Sequence, residues 1–228
     1  MRWVGICAIV VAMFLSAGCN NSGSQGGWTS DFQVDKATLV NTGSNQFFPL
    51  RPGHQVILEK GTRKLVVTVL NETEMVDGVE ARVVEERETA SDTLLEISRN
   101  YFAMDPATRN VYYFGEDVDQ YTNGQISGHE GGWRSGVNGA RFGLLMPGTA
   151  TLHARYAQEL APGVAMDRAE VIAVQEQFIS QDVGRYQHCI RTEETSPLEP
   201  KAREYKTYCP GIGLVKDGDL KLSLVTIP

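Results

Sequence analysis

The dipeptide Asp77-Gly78 stands between two long runs rich in Val, Leu, Thr and Glu, and it constrains the fold more than any other feature. A tight type I′ hairpin turn needs positive φ at both central residues, and Asp-Gly supplies them. After the turn, Val79 and Ala81 alternate with Glu80 and Arg82. A period of two is typical of an antiparallel strand with one buried face and one face in solvent.

Similar hairpin signals recur at Asn123-Gly124 and Asp217-Gly218, and no segment predicts a confident helix. The predicted strands are 55–60, 63–76, 79–88, 93–104, 111–120, 167–177, 186–193, 203–209, 211–216 and 220–227, with 151–160 as either a strand or a short helix. Successive hairpins predict an all-β fold: an antiparallel meander that forms a strongly curved sheet (a half-barrel) or a sandwich, with a long Gly-rich loop.

The N-terminal residues predict export and a lipid anchor. Arg2 precedes an apolar run, residues 3–15, which is shorter than the roughly twenty residues of a membrane-spanning helix. Small residues 16–18 then precede Cys19, a pattern that resembles a lipoprotein signal with Leu15 one place early. We therefore expect residues 1–18 to be a lipoprotein signal peptide and Cys19 to be lipidated. The alternative is an ordinary secretory signal with an incidental cysteine.

Composition sets the domain organisation. Residues 19–27 are the lipidated cysteine and a Gly/Ser/Asn-rich flexible tether, and residues 28–228 form a single β domain. Asn20, which follows the cysteine, favours the outer membrane facing the periplasm over inner-membrane retention. A formal net charge of −7 and a pI near 5.2 exclude nucleic acid as an expected partner.

Cys189 and Cys209 remain after the signal and the lipidated cysteine are set aside. They flank residues 195–200 on two strands that should pair, and opposite residues of neighbouring strands lie within disulfide reach. An even pair of cysteines in an exported domain predicts a disulfide. The alternative is a pair of reduced thiols in the core.

A glycine-rich stretch, residues 111–148, holds the candidate binding loop. Loops held by a rigid scaffold often carry function. Trp133 and Arg134 could form a lip with an aromatic face and a cation, or the tryptophan could be buried and simply hold the loop. The full set of candidate residues is Glu116, Asp117, Asp119, His129, Trp133 and Arg134.

Known chemical motifs are broken in this stretch. Trp133 stands where a zinc-protease motif beginning at His129 needs its second histidine, and Tyr121 interrupts the order of a calcium-binding loop. No serine-hydrolase elbow or nucleotide-binding loop is present in the sequence. We therefore expect no cofactor, no metal site and no catalytic residue.

Five segments, FFPLRPG, VYYFGEDVDQY, GGWRSGVNGA, LLMPG and YCPGIGLV, occur in this order. Together they resemble a family of bacterial exported or lipid-anchored proteins of unknown function. The resemblance covers about residues 47–215. It implies an exported, β-rich single domain and transfers no activity.

Two classes of function follow. The first is a lipid-anchored, non-catalytic binding or structural module, which takes an apolar ligand or an envelope protein on an apolar concave face. The alternative is an envelope hydrolase or a calcium-binding protein that uses the acidic and histidine residues of loops 115–134. We favour the binding module.

Overall fold

The computed structural model describes residues 27–228. The predicted signal peptide, residues 1–18, and the predicted lipid site at Cys19 lie outside the described residues. In the part that is described, no helix has both the length and the apolar character needed to cross a membrane.

The described chain is antiparallel β-structure, with one short 3₁₀ turn at Lys36–Thr38 as its helical element. The predicted all-β fold is confirmed. The strands are β1 (Gly43–Ser44), β2 (Pro49–Leu50), β3 (Gln55–Lys60), β4 (Arg63–Val76), β5 (Val79–Ala90), β6 (Thr93–Met104), β7 (Val111–Thr122), β8 (Gln125–Gly128), β9 (Trp133–Arg134), β10 (Arg141–Met146), β11 (Arg155–Ala157), β12 (Glu159–Leu160), β13 (Arg168–Ser180), β14 (Gly184–Thr195), β15 (Glu204–Cys209), β16 (Gly213–Asp217) and β17 (Leu220–Thr226).

One continuous sheet dominates the structure. Its strands run in the order β11-β13-β14-β15-β16-β17-β3-β4-β5-β6-β7-β10-β12, with β8 and β9 paired to β7 beside this path. The sheet curves into a nearly closed, barrel-like shape, so the half-barrel alternative is right and the sandwich is wrong.

The two edges of the sheet meet along residues 155–160. The first half of this segment, β11, pairs with β13, and the second half, β12, pairs with β10. Gly143 in β10 makes the approach possible, because an added Cβ would overlap the carbonyl oxygen of Gln158. We call residues 155–160 the seam.

Strands β5 to β7 are covered on both faces. Tyr112 and Phe114 of β7 pack on one face with Phe142 of β10, and Phe32 of the N-terminal segment covers Tyr112. Phe102 and Tyr113 pack against each other in a separate cluster of buried residues. Both faces of these strands are therefore largely shielded from water.

The expectation that Arg82 faces solvent is wrong, because that side chain is only 7% exposed. Its guanidinium donates to the carbonyl oxygens of Asn41, Leu70 and Glu72 and to the side-chain oxygen of Asn41. These four hydrogen bonds to neutral oxygens stabilise the buried guanidinium at the place where the N-terminal segment covers the sheet.

The glycine-rich stretch also differs from its prediction as a long loop. It contains β8, β9 and β10, and β10 is a full member of the curved sheet. Turns at positive-φ glycines separate these strands, which is why the sequence pattern predicts a loop.

The predicted disulfide is present. Cys189 of β14 and Cys209 of β15 are bonded, with their Cα atoms 4.2 Å apart. They continue the register in which Ile190 lies opposite Tyr208. Both cysteines are fully buried among apolar residues such as Leu58 and Val215.

Candidate functional site

A cleft of about 610 Å³ lies between β7, β9 and the turn that precedes β13. Five of the six candidate residues line it, and Glu116 does not. The lining also includes residues that sequence reasoning did not select, such as Arg99, Val137 and Val164. The five candidate residues at the cleft are Asp117, Asp119, His129, Trp133 and Arg134.

The floor of the cleft is apolar. Val118, Trp133 and Ala140 are each 6% exposed, and Ala161 is 2% exposed. The Trp133 ring packs edge-on against Tyr113, with centroids 5.3 Å apart. The tryptophan is therefore buried and holds the loop, as one alternative predicted, and it also forms part of the cleft wall.

One side of the rim is an ion-pair group centred on Arg134. Its guanidinium lies 2.6 Å from the Asp117 carboxylate and 3.1 Å from that of Glu74. It also sits over the Tyr101 ring, 4.6 Å from the centroid, and donates to the Tyr101 hydroxyl. Tyr101 in turn donates to Asp117 over 2.8 Å. These mutual contacts fix the position of the guanidinium.

The other side of the rim is centred on Asp119. The Nδ1 atom of His129 lies 3.0 Å from its carboxylate and 2.9 Å from the Val118 carbonyl oxygen. Arg99 approaches the same carboxylate at 3.6 Å and also reaches Glu85. The His129 side chain is 69% exposed. The Asp119 carboxylate therefore has two nitrogen partners at the rim, one from His129 and one from Arg99.

Gly115 lets β9 reach β7. Its φ is 138°, and an added Cβ would overlap the carbonyl oxygen of Trp133. The pairing places Arg134 opposite Gly115 and Trp133 opposite Glu116. Two cleft residues are therefore positioned by a glycine that the sequence analysis placed within the predicted strand 111–120 and gave no role.

Ser135 secures the chain just after Arg134. Its hydroxyl donates to the Asp77 carboxylate over 2.6 Å and accepts the N–H of Phe142 over 3.0 Å. Lys36 lies 2.6 Å from the same carboxylate. Burial opposes the effect, but the Lys36 and Ser135 contacts hold the pKa of Asp77 below its usual value. The hairpin residue Asp77 therefore also anchors the candidate loop.

Glu116 faces the interior of the sheet instead of the cleft. It belongs to a ring of carboxylates at the end of the barrel-like sheet where the β5–β6 and β16–β17 turns lie. We call this ring, together with one lysine, the acidic mouth: Glu86, Glu88, Glu96, Glu116, Glu159, Asp167, Glu194, Glu204, Lys206 and Asp217. The expectation of an apolar concave face is therefore wrong at this end.

The strand register places these groups on one face. Residues that lie directly opposite each other on paired strands share a face, and Glu88 lies opposite Glu96 while Glu194 lies opposite Glu204. Lys206 likewise lies opposite Asp217. Like charges in opposite positions destabilise a sheet, so the sequence keeps these pairs at a cost.

Charged groups on strands that are far apart in the sheet also influence one another's pKa across the interior. Burial raises the pKa of Glu86 to about 7, while Lys206 opposes the rise and Asp217 adds to it. Four strands separate β5 from β15 in the sheet, so these groups act on each other across the interior and not as neighbours along it. Burial and Glu88 raise the pKa of Glu96 to about 7.

Glu116 carries the largest shift with a stated value in the mouth. Burial and the Glu86 carboxylate raise its pKa to about 8. Burial also raises the pKa of Asp217 to about 6, although Lys206 opposes that rise. At neutral pH the mouth therefore holds a mixture of protonated and ionised carboxyls.

One cation is built into the mouth. The Lys206 ammonium lies 2.9 Å from the Glu194 carboxylate, and Glu194 is only 7% exposed. Burial alone would lower the lysine's pKa, but Glu194 and Asp217 raise it well above the usual value. These two carboxylates therefore favour the charged amine.

Within residues 27–228, no three His, Cys, Asp or Glu side chains gather closely enough to hold a metal ion. The chain matches no protein-family model, no curated protein and no solved structure.

Proposed function

We propose that the protein is a lipid-anchored, non-catalytic binding module of the bacterial cell envelope, and that its cleft takes an apolar small molecule with one polar end. The cleft itself carries the proposal. Its volume of about 610 Å³ falls within the roughly 300–1,000 Å³ of ligand pockets, which combine an apolar lining with a few fixed polar groups.

The apolar part of such a ligand has a defined place. Val118, Trp133 and Ala140 form a dry floor, and Val137 and Val164 at the rim are 51% and 44% exposed. Covering the two exposed valines removes apolar surface from water, which favours binding.

The polar end of the ligand meets a rim whose charges are already paired. Arg134 is held by Asp117 and Glu74, and His129 is held by Asp119. Preorganised groups of this kind orient a ligand without a large cost in ordering side chains. Ser135, the neighbouring hydroxyl, is committed to Asp77 and the Phe142 N–H.

Binding of 1-anilinonaphthalene-8-sulfonate, which has an apolar body and one anionic end, tests the cleft. The chain from Trp28 should bind the dye, and excitation of Trp133 should transfer energy to it. Val137→Glu should weaken the affinity about tenfold, which corresponds to about 1.4 kcal/mol. Leu224→Glu is the matched control, because Leu224 is also 51% exposed but lies on β17. Equal effects of the two variants would place the dye elsewhere and refute the proposal.

A second candidate function is hydrolysis, and the His129–Asp119 contact of 3.0 Å at the cleft favours it. A carboxylate that orients a histidine is a common element of general-base catalysis. Turnover of a panel of chromogenic esters that is lost in His129→Ala and retained in His153→Ala would replace the binding module with this function. His153 is the control, because its Nδ1 atom likewise lies 3.1 Å from a carboxylate, that of Glu170, and its side chain is similarly exposed.

A further inference from the structure

The acidic mouth is a second site, separate from the cleft, and its arrangement costs stability. Two like-charged pairs, Glu88 with Glu96 and Glu194 with Glu204, lie directly opposite each other on neighbouring strands. Replacing one member of each pair by a neutral residue would relieve repulsion. Strongly perturbed ionisable groups that gather in one place mark a candidate functional site.

Lys206 carries an ammonium group that already lies among the carboxylates of the acidic mouth. Its primary ammonium lies 2.9 Å from Glu194 and is held in the charged form by that residue and by Asp217. An alkylammonium group is therefore stable among these carboxylates. One lysine leaves most of the surrounding carboxylates without a cation.

A buried hydroxyl gives an independent reason to expect a ligand. Tyr156 of the seam is 2% exposed, and its hydroxyl has no hydrogen-bond partner among the described residues. Tyr156 lies opposite Ala169, which in turn lies opposite Glu194, so Tyr156 and Glu194 share one face of the sheet. A buried polar group without a partner destabilises the folded state, and a hydroxyl oxygen can accept a hydrogen bond from an ammonium N–H.

We propose that the acidic mouth binds a linear organic polycation of the polyamine class. The carboxylates come from several strands around the end of the sheet, so several spaced ammonium groups match them better than one charge. The Tyr156 hydroxyl accepts one N–H of the bound cation.

The protonated carboxyls of the acidic mouth make ligand binding measurable as proton release. The Glu116 carboxyl is faced by Glu86 of β5, Glu96 of β6, Tyr113 of β7 and Asp167 before β13, and it holds a proton up to a pKa of about 8. A bound cation favours the ionised form of these carboxyls. Binding therefore releases protons at pH 7, and affinity rises as the pH increases from 6 to 8.

Isothermal titration of the full chain with spermidine tests the proposal. Titrations in two buffers of different ionisation enthalpy measure the protons released. We expect one spermidine per chain, proton release at pH 7, affinity that falls with added salt, and affinity at pH 8 that is at least about fivefold higher than at pH 6.

Variants locate the site. Glu86→Gln and Glu116→Gln should each weaken spermidine binding about fivefold to tenfold and reduce the proton release, whereas Glu193→Gln should change neither. Glu193 neighbours Glu194 on β14 but pairs outward with Arg203 at 3.0 Å. Glutamine has the shape of the protonated carboxyl, so folding is preserved, and thermal unfolding of each variant verifies this.

Three outcomes would overturn the proposal. Loss of affinity in Glu193→Gln equal to that in Glu116→Gln would show non-specific attraction to an acidic surface. Binding of Ca²⁺ with no binding of spermidine would assign the mouth to a metal ion. The absence of both binding and proton release would show that these carboxyls bind protons but no polycation. None of these results depends on whether the cleft binds its own ligand.

Discussion

The Lys206 ammonium of β15 lies 2.9 Å from the carboxylate of Glu194 on the neighbouring strand β14. The two side chains are 25% and 8% exposed, so this is a partly buried ion pair. Removing one partner of such a pair leaves the other charge buried without compensation, which is far more costly than loss of a surface pair.

Lys206→Met should therefore lower the free energy of unfolding by about 2–3 kcal/mol, somewhat below the roughly 3–5 kcal/mol of a fully buried pair. Denaturant unfolding measures the change. Lys64→Met is the control, because Lys64 and Glu59 form a similar pair at 3.1 Å with side chains 44% and 40% exposed. The control should cost no more than about 1 kcal/mol. Equal losses would contradict the interior position of Lys206.

Stability should fall as pH rises from 5 to 8. Glu86, Glu96 and Glu116 have a pKa of about 7, 7 and 8 in the folded protein, against 4.5 for the ordinary carboxyl. The folded state therefore binds more protons than the unfolded chain in this window, and the free energy of unfolding decreases with increasing pH.

Thermal unfolding between pH 5 and 8 checks this dependence. Glu116→Gln should reduce the slope by up to about 1.4 kcal/mol per pH unit, which is the effect of one proton. Glu59→Gln should leave the slope unchanged, because contacts with Ser223 and Lys64 lower the pKa of Glu59 and it titrates below this window. A stability that rises from pH 5 to 8 would refute the prediction.

The Cys189–Cys209 disulfide closes a segment with a sequence separation of 20 residues. The loop-entropy relation gives a stabilisation of about 3 kcal/mol for a loop of this size. Cys189→Ala with Cys209→Ala should lower the free energy of unfolding by that amount, and a reducing agent should destabilise only the parent protein. Mass spectrometry of non-reduced peptides should show the two cysteines linked, and two alkylated thiols would contradict the assignment.

Gly143 should be intolerant of a side chain. An added Cβ would overlap the Gln158 carbonyl oxygen, and the three nearest atoms all belong to the backbone of Ala157 and Gln158. Gly143→Ala should cost at least about 2 kcal/mol, the lower range for strained or overpacked positions. It should also speed hydrogen exchange in β10 and β12. Gly132→Ala, which meets its nearest atoms at 3.5 Å, should cost less than about 1 kcal/mol.

Membrane attachment is predicted to depend on Cys19. Cys19→Ala should leave an unprocessed precursor or release the protein, because lipidation supplies the anchoring apolar chains. Fractionation and intact mass measure both results. Ser16→Ala is the control, since a small residue remains before the cysteine. Unchanged mass and fractionation in Cys19→Ala would count against the lipoprotein signal.

Local signals predicted most of the sheet. Strands β3, β4 and β6 begin and end at the predicted residues, because tight turns such as Asp77-Gly78 fix where one strand stops and the next begins. The disulfide followed from the same pairing, since the hairpin register places Cys189 opposite Cys209.

Contacts between distant parts of the chain explain what the sequence did not predict. Gly143 of β10 leaves room for the seam to approach closely. No sequence signal near residue 143 indicates that Gln158 is its neighbour in space. The candidate cleft residues were found as a polar group in a glycine-rich stretch, but Val137 and Val164 belong to the cleft only through the fold. Glu86 and Glu88 lie on the same face of β5 as Glu80 and Arg82, the face that the period of two assigns to solvent. The sequence pattern therefore could not predict that these carboxylates belong to the acidic mouth.

The seam also determines how the ends of the sheet face other chains. A free strand edge offers unpaired N–H and C=O groups to any passing strand, and long edges promote intermolecular pairing and aggregation. Here the outermost strands are β11, with three residues, and β12, with two. They are neighbours in one short segment, so the protein's own chain covers residues 168–170 of β13 and residues 141–142 of β10 and closes these stretches to a foreign strand.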